Sequence, residues 1–374
     1  MFATDAFFEQ QAGRSLAKSE IVSKYFDAWA NIVGSQAERI AYVDLFCGPG
    51  SYEDGSPSTP IMVLEKACRN ERVRGQLVSI FNDGDEDSAS TLKANIQSLS
   101  CVHALAVDPE VTSNPVGEGT LRGYATRLGD DTPTLLFLDP WGYKGLSLGE
   151  IDRFIGPWGS ECIFFFNYRR VNAAVCNEKL SGPVTTLFGA ETVGALRVAL
   201  DAATSAAERE QLVLQTLRSS LMNTYGKHVL WFRLAGPGQG ANYYLVHVTK
   251  GWKGFEVMRD IMDRASTSRD AFDVSSFEYN PSGQTSMFRL AGSLPELEES
   301  LANDFASETR TADDIFRQHS EGRMYVRRNY RDALLRLEAA RRVQCDAGSK
   351  KRRAGTLPPH IKVTFESTRV GAGG

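Results

Sequence analysis

Residues 40–50 of this chain read Ile-Ala-Tyr-Val-Asp-Leu-Phe-Cys-Gly-Pro-Gly, an apolar run that ends abruptly in two closely spaced glycines. The apolar run predicts a buried strand over residues 40–45. Gly48 and Gly50 allow the backbone to turn tightly and to come close to a ligand. A strand that leads into a glycine-rich turn is typical of the first unit of a nucleotide-binding α/β sheet.

The acid before this turn indicates which nucleotide it would hold. The stretch lacks the third glycine of the dinucleotide fingerprint. A carboxylate there would repel a pyrophosphate, but it would suit the ammonium group of S-adenosylmethionine (SAM). We therefore predict a SAM site, with contacts from the first strand and its turn at Asp44, Phe46, Cys47, Gly48 and Gly50. The alternative is that the two glycines serve backbone geometry alone.

A second apolar strand, predicted over residues 77–81, ends in Asn82-Asp83-Gly84-Asp85. A carboxylate at the end of the second parallel strand can accept hydrogen bonds from both ribose hydroxyls of the cofactor. Asp83 is the first candidate for this contact, and Asn82 and Asp85 are the others. The alternative is an acidic loop that only caps the following helix.

The fourth predicted strand carries the clearest chemical signal. Residues 134–142 read Thr-Leu-Leu-Phe-Leu-Asp-Pro-Trp-Gly, which delivers Asp139 to the carboxyl edge of the sheet, where α/β folds keep their ligands. Pro140 fixes the bend and leaves neighbouring carbonyls free to accept hydrogen bonds. Trp141 offers a flat surface on which a base could stack. We predict that these three residues are catalytic and orient an exocyclic amine towards a methyl donor, whereas the alternative is a turn that only fills space.

The remaining apolar runs predict further strands over residues 102–107, 162–168, 228–234 and 243–249. Asp108, which follows the third strand, could accept a hydrogen bond from an adenine amino group. The last two strands are joined by a short Gly/Pro-rich stretch, which favours an antiparallel hairpin. Residues 173–225 predict a helical insertion. Together these elements predict an α/β fold: a seven-stranded, mostly parallel, Rossmann-like sheet with one antiparallel edge strand, as in class I methyltransferases.

The composition is that of a globular protein, with 374 residues of which 42% are hydrophobic and 24% charged. Six cysteines are scattered without a C-x-x-C pair, so the sequence predicts neither a metal site nor a disulfide framework. This cysteine usage fits a reducing cytoplasm. Because no apolar run reaches membrane-spanning length and no signal pattern opens the chain, we predict a cytoplasmic protein without membrane association.

The C-terminal part differs from the rest in charge. Residues 323–353 contain eleven Lys or Arg and three Asp or Glu, a net charge of +8, whereas the whole chain carries −4. A capped helix near residue 311, a second helix over residues 326–340, a basic loop and a strand over residues 361–365 predict a winged helix-turn-helix. We place the domain boundary at residue 300, with the methyltransferase-like domain over 1–300 and the basic module over 301–374.

This basic module could bind nucleic acid. Arginines on the second helix could enter a groove, and the basic loop could lie along phosphates. The candidate contacts are Arg327, Arg328, Arg331, Arg342, Lys350, Lys351, Arg352 and Arg353. The alternative is a basic helix that docks on the acidic body or on another protein.

The motifs over residues 42–57 and 139–146, with the arginine-rich C-terminal segment, make most of the chain resemble the three-Cys-motif partner protein (TcmP) family. The resemblance implies a methyltransferase-like domain that works with a second protein bearing a three-cysteine, radical-SAM-like motif. Similar sequences tend to have Glu at the end of the second strand, where this chain has Asn82. Trp141 stands where an aromatic residue such as Phe is common.

We therefore expect a SAM-dependent methyltransferase that N-methylates an exocyclic amine of a nucleic-acid base and acts with a three-Cys-motif partner. Methylation at carbon 5 is disfavoured, because it needs a nucleophilic cysteine and no Pro-Cys or Thr-Cys stands at a strand end. Two alternatives stay open. One is a catalytically silent methyltransferase fold that presents nucleic acid to the partner, and the other is a methyltransferase for a small molecule or a peptide.

Overall fold

A computed structural model of the protein describes residues 2–117, 119–140, 147–177, 179, 181–224, 228–235, 242–280, 292–346, 352–353 and 355–367. The chain divides into two compact units, one of Met1–Ala265 with Tyr279–Ser282 and the other of Ser266–Glu278 with Gly283–Gly374. The division falls earlier than the predicted boundary at residue 300.

The first unit is built on a sheet that has eight strands in the described part of the chain. They are β1 (Ile40–Asp44), β2 (Leu77–Asn82), β3 (Glu110–Thr112), β4 (Thr134–Leu138), β5 (Glu161–Asn167), β6 (His228–Ala235), β7 (Asn242–Thr249) and β8 (Glu278–Tyr279). Their order in space is β3-β2-β1-β4-β5-β7-β6-β8. The first five strands run parallel, and β7 is antiparallel to both β5 and β6.

This topology confirms the predicted mostly parallel, Rossmann-like sheet, including the hairpin of β6 and β7. The short strand β8 is an eighth strand that the seven-stranded prediction did not include. One part of the prediction is wrong, because the antiparallel strand is not at the edge. β7 lies between β5 and β6. The physical reason is burial: residues 244–248 of β7 are all buried, as expected for an interior strand covered on both faces.

The centre of the sheet positions the predicted site. Every residue of β1 is buried, and the strand pairs with β2 on one side and β4 on the other. In this register Asp44 lies opposite Phe81 of β2 and Phe137 of β4. The carboxyl ends of the three strands therefore meet at one edge, where open α/β sheets bind ligands.

Eleven helices surround this sheet in the described residues. They are α1 (Phe2–Val33), α2 (Thr59–Arg69), α3 (Glu71–Gln76), α4 (Glu86–Ser98), α5 (Thr120–Leu128), α6 (Leu148–Ile155), α7 (Tyr168–Val175), α8 (Gly182–Phe188), α9 (Ala190–Ala202), α10 (Ala206–Thr224) and α11 (Trp252–Ala265). The helix α1 buries Ile21, Tyr25 and Trp29 on one face. α7 to α10 form the predicted helical insertion.

The third strand does not lie where the sequence predicts it. Val102–Ala104 forms a 3₁₀ turn, and β3 begins only at Glu110. Val102 and Leu105 both point inwards, and a spacing of three residues suits a 3₁₀ turn better than the alternation of a strand. Asp108 therefore precedes β3 instead of following it, and its side chain is exposed.

The second unit has the predicted winged helix-turn-helix order. Its elements are α12 (Leu294–Asp304), β9 (Thr309–Thr311), α13 (Ala312–His319), α14 (Arg327–Ala339), β10 (Val343–Asp346) and β11 (Lys362–Phe365), and its sheet has the order β10-β11-β9. Thr311 caps α13 as predicted, because its hydroxyl accepts a hydrogen bond from the Asp314 N–H (3.1 Å). The helix α12 packs against α14, which explains why the unit begins before residue 300.

Across the described helices, none combines the length and apolarity needed to cross a membrane.

Candidate active site

Asp44, at the end of β1, has an uncommon environment for a carboxylate. It is 1% exposed, and one of its oxygens, Oδ1, accepts a hydrogen bond from the Phe46 N–H (3.2 Å). The other oxygen, Oδ2, is buried and has no hydrogen-bond partner among the described residues. Burial raises the pKa of Asp44 to about 8; the Phe46 N–H opposes this rise and the nearby Asp139 adds to it. Such an oxygen fits a cationic ligand.

The two glycines of the turn after β1 differ in their surroundings. Gly50 has φ +90°, which other residues rarely adopt, and a Cβ there would lie 2.7 Å from Leu92 Cδ1, so the backbone and the packing against α4 both favour glycine. Gly48 has φ +63°, and a Cβ there would meet nothing within 4 Å. Space beside Gly48 is thus open to a ligand.

Cys47, between Phe46 and Gly48, is held by the neighbouring strand. Its N–H donates to the Asn82 carbonyl (3.1 Å). Burial, together with the charge of Asp44, raises the pKa of the Cys47 thiol far above its usual range. The thiol is therefore protonated and suits packing in the turn rather than nucleophilic chemistry. Phe46 is half-buried beside it.

Asn82 ends β2, but its side chain serves the fold. Its Nδ2 donates to the Asn114 carbonyl (3.0 Å), and its Oδ1 accepts from Thr112 Oγ1 (2.8 Å) and the Asn114 N–H (2.9 Å). The residue is 1% exposed. These bonds tie β2 to the segment after β3, so a ribose contact from Asn82 would have to break them.

Asp83 is better placed than Asn82 or Asp85 for the predicted ribose contact. It is half-buried, and its two oxygens accept from the Gly48 N–H (2.8 Å) and the Asp85 N–H (2.9 Å), which leaves each oxygen a second lone pair. Asp85 caps α4 by accepting from the Ser88 N–H (3.1 Å). The ribose contact itself stays a prediction.

Asp139, which follows β4, forms an ion pair with Lys18 of α1 through its Oδ2. The side chain of Lys18 is 13% exposed and that of Asp139 is 23% exposed. Burial alone would lower the pKa of Lys18, but Asp139, with smaller contributions from Tyr52 and Asp44, raises it, so the ammonium is charged at neutral pH. The sequence did not predict Lys18 as a site residue.

Of the other two predicted catalytic residues, the structure describes Pro140 but not Trp141. Pro140 is buried directly after Asp139. Trp141 and the rest of its motif, residues 141–146, lie outside the described residues. The predicted stacking of a base on Trp141 thus stays a prediction.

The helix α1 is fastened to the loop after the glycine turn. The Tyr52 hydroxyl donates to the Ser15 carbonyl (3.0 Å) and lies 2.7 Å from Ser19 Oγ. Ser19 Oγ also lies 2.8 Å from Thr59 Oγ1 at the start of α2. Sequence reasoning missed these residues; the available signal was a serine on the buried face of an apolar helix.

Aromatic rings continue the site along the carboxyl edge from β4 towards β7. Phe165 of β5 and Tyr243 of β7 are stacked, with ring centres 5.1 Å apart. The Lys18 ammonium lies 5.4 Å from the centre of Phe165, and the Arg14 guanidinium lies 5.3 Å from the centre of Tyr243. Asp139, two rings and two cations of α1 therefore form one continuous surface.

The residues present fit SAM. The unpaired oxygen of Asp44 would hold the methionyl ammonium, the open side of Gly48 would admit the cofactor, and Asp83 would accept from the ribose. Asp108 does not lie at the carboxyl end of a strand, because it precedes β3. The SAM site stays a prediction that these observations favour.

In the second unit, the predicted nucleic-acid contacts are engaged in ion pairs. The pairs are Arg327 with Asp313 (2.7 Å), Arg328 with Asp273 (3.3 Å), Arg331 with Asp332 (2.7 Å), Arg342 with Glu299 (2.5 Å) and Arg352 with Glu338. Such solvent-accessible pairs are each worth only about 0–1 kcal/mol, so a phosphate can compete for the arginine. Arg353 is exposed, and Lys350 and Lys351 lie outside the described residues.

Comparison with known proteins bears on the second unit most directly. Residues 276–348 match a family model described as a GMT-like wHTH domain. This match confirms the predicted winged helix-turn-helix. A sequence search of curated proteins finds no match.

Solved structures resemble the chain at low identity. Protein LPL1258 from Legionella pneumophila str. Philadelphia 1 has 11% identity and a TM-score of 0.40, covering 65% of this chain and 89% of that one. The plantazolicin methyltransferase BpumL in complex with S-adenosylhomocysteine (SAH) has 8% identity and a TM-score of 0.30, covering 67% and 100%. The methyltransferase domain of bacterial-CtHen1-C has 12% identity and a TM-score of 0.30, covering 62% and 98%. Membership of the TcmP family stays a prediction.

Proposed function

We propose that this chain is a SAM-dependent methyltransferase that N-methylates an exocyclic amine of a nucleic-acid base. One observation carries the proposal: the unpaired, buried Asp44 Oδ2 lies at the same sheet edge as Asp139. One group suits the ammonium of the cofactor, and the other suits the N–H of an acceptor. A cation site and an amine site at adjacent strand ends are what methyl transfer to nitrogen requires.

SAM would supply an electrophilic methyl group, whose bond to sulfur breaks as the bond to the acceptor nitrogen forms, leaving SAH. Asp139 would accept a hydrogen bond from the acceptor amine and so direct the lone pair of the nitrogen. It also stands ready to take the proton that the nitrogen loses. Pro140 would keep the bend rigid, and Trp141 would stack the base.

The winged helix-turn-helix supports nucleic acid as the substrate class. In such modules the second helix of the motif, here α14, contacts the groove, and a basic loop contacts the backbone. Arg328 and Arg331 in the first turns of α14 are the groove contacts that we propose, and Arg352 and Arg353 are the phosphate contacts. Each phosphate contact should add about one unit to the salt dependence of binding.

The resemblance to TcmP proteins supports a partner that bears a three-cysteine, radical-SAM-like motif. We propose that the chain delivers nucleic acid, or a methylated base, to this partner. Co-expression of the two proteins followed by affinity capture of this chain should recover both. Failure to recover them together, with or without oligonucleotide, would remove the partner from the proposal.

The central test combines binding and transfer. Calorimetry with SAM should show one site per chain, and labelled methyl groups should reach single- or double-stranded DNA or RNA oligonucleotides. Asp139→Ala should reduce transfer at least a hundredfold and change SAM affinity less than about threefold, because the carboxylate acts on the acceptor. Asp87→Ala, at an exposed acid of α4, is the matched control. Absence of SAM binding would contradict the proposal.

The ion pair between Lys18 and Asp139 favours a second candidate function. If this pair is permanent, Asp139 cannot receive an acceptor, and the fold serves as a scaffold that presents nucleic acid to the partner. Under this view Asp139→Ala changes neither oligonucleotide affinity nor assembly with the partner, and no methyl group is transferred. Oligonucleotide binding without transfer, in the presence of the partner, would favour the scaffold.

A further inference from the structure

The contact between Lys18 and Asp139 has the same chemistry as the contact proposed for the substrate. An ammonium nitrogen of α1 donates a hydrogen bond to Asp139 Oδ2. The proposed function assigns to this carboxylate an N–H donor of the acceptor amine. A nitrogen of the chain thus lies where a nitrogen of the substrate is needed.

The packing of α1 fixes this placement on both sides of Lys18. One turn before and directly after it, the Ser15 carbonyl and Ser19 Oγ bind the Tyr52 hydroxyl. Two turns later the Tyr25 hydroxyl donates to Glu161 at the start of β5. The ammonium is therefore brought to Asp139 by a helix that is fixed to the sheet and to the loop after the glycine turn.

The charges at this edge explain why the ammonium is held there. Asp44, Asp83 and Asp139 are three carboxyl groups at one edge of the sheet, and Lys18 is a cation that interacts with Asp44 and Asp139. The sulfonium of a cofactor whose methyl group faces the acceptor position would bring a second positive charge close to Lys18. Like charges at this range repel, so the ion pair of Lys18 should weaken.

We propose that the Lys18 ammonium occupies the position of the acceptor nitrogen, so that a substrate amine is methylated only after it has replaced Lys18 on Asp139. This inference rests on the proposed function and identifies the acceptor as a group that donates a hydrogen bond to Asp139, as an amine does. A carboxylate or phosphate oxygen could not take this place, because it would meet Asp139 with like charge. SAM should loosen Lys18 more than SAH does, because both carry the ammonium and SAH lacks the sulfonium charge.

Acetylation of lysines by a water-soluble ester, followed by peptide mass spectrometry, tests this release without any acceptor. Lys24, on the same helix with a side chain that is 53% exposed, is the internal control. In the free protein Lys18 should react at least tenfold more slowly than Lys24. Saturating SAM should accelerate Lys18 severalfold relative to saturating SAH, and neither ligand should change Lys24. Equal rates at Lys18 with SAM and with SAH would overturn the inference.

A variant tests the same coupling by affinity. Two like charges at most about 10 Å apart, at an effective dielectric constant of about 20, change an equilibrium by roughly tenfold or more. Lys18→Met should therefore raise the ratio of SAM affinity to SAH affinity by roughly tenfold or more, and Lys24→Met should leave the ratio unchanged. Loss of stability in the variant would lower both affinities together and would not move the ratio.

Failure of the proposed function can be distinguished from failure of the role proposed for Lys18. If neither SAM nor SAH binds the unaltered protein by calorimetry, the proposed function fails. If both bind and Lys18→Met leaves their affinity ratio unchanged, the proposed function stands and the role of Lys18 as an occupant of the acceptor position fails.

Discussion

The protein should release a proton from Asp44 when the cofactor binds. Replacement of Asp44 by Asn should abolish this release. The carboxyl group has a pKa of about 8 in the free protein, because burial disfavours its charged form. An ammonium ligand binds the ionised form. At pH 7 only about one tenth of the molecules are ionised at this residue, so binding should release close to one proton per ligand.

The affinity should follow the same titration. Between pH 6 and pH 7 the ionised fraction of Asp44 rises from about 0.01 to about 0.1, so SAM and SAH should each bind roughly tenfold more tightly at pH 7, or about 1.4 kcal/mol. Free α-amino groups titrate near pH 8, so the ammonium of the ligand is intact in this window. In Asp44→Asn this dependence on pH should disappear.

Calorimetry in two buffers of different ionisation enthalpy measures the released proton directly. The unaltered protein and the Asp87→Asn control should give nearly one proton at pH 7, and Asp44→Asn should give none. Binding without proton release in the unaltered protein would refute the reasoning. The free protein should also lose stability as the pH rises from about 4 to about 8, because the native state alone keeps the proton.

Three further substitutions test the fold. Gly50→Ala should destabilise the protein by about 2 kcal/mol in denaturant unfolding, because φ is +90° at this position and a Cβ there would lie 2.7 Å from Leu92 Cδ1. Glu161→Ala should cost about 3 kcal/mol in the same assay, because it leaves the buried His247, now 2.7 Å from the carboxylate, without its partner. Burial lowers the pKa of His319 to about 4, so the second unit should lose about 2 kcal/mol as the pH falls from 7 to 4.5. Amide exchange of α13, corrected for intrinsic rates, should show this loss, and His319→Gln should abolish it.

The sequence alone was sufficient to predict the elements that depend on a short, local pattern of residues. The run around Val43 is apolar without interruption because β1 is covered on both faces, and its carboxylate and glycines follow at once. The capping pair of Thr311 and Asp314 acts within one turn of a helix, so short-range chemistry determines it. The strand ends that carry Asp44 and Asp139 were predictable for the same reason.

The parts that the sequence could not supply depend on tertiary packing. Lys18 is 121 positions away from Asp139, and nothing within one helical turn distinguishes it from a solvated lysine such as Lys24. The 3₁₀ turn at Val102 resembled a strand because a short apolar run does not distinguish the two. The interior place of β7 depends on which neighbour it pairs with, and hairpin patterns do not encode that choice.

The place of β7 between β5 and β6 also matters for biosynthesis. β5 gains its second neighbour from residues 242–249, about 80 positions further along the chain. During translation β5 therefore emerges long before its partner, with an apolar edge that stays open while the helical insertion is made. Nascent chains that stall within the insertion should expose this edge and aggregate, whereas chains released after residue 249 can close the sheet.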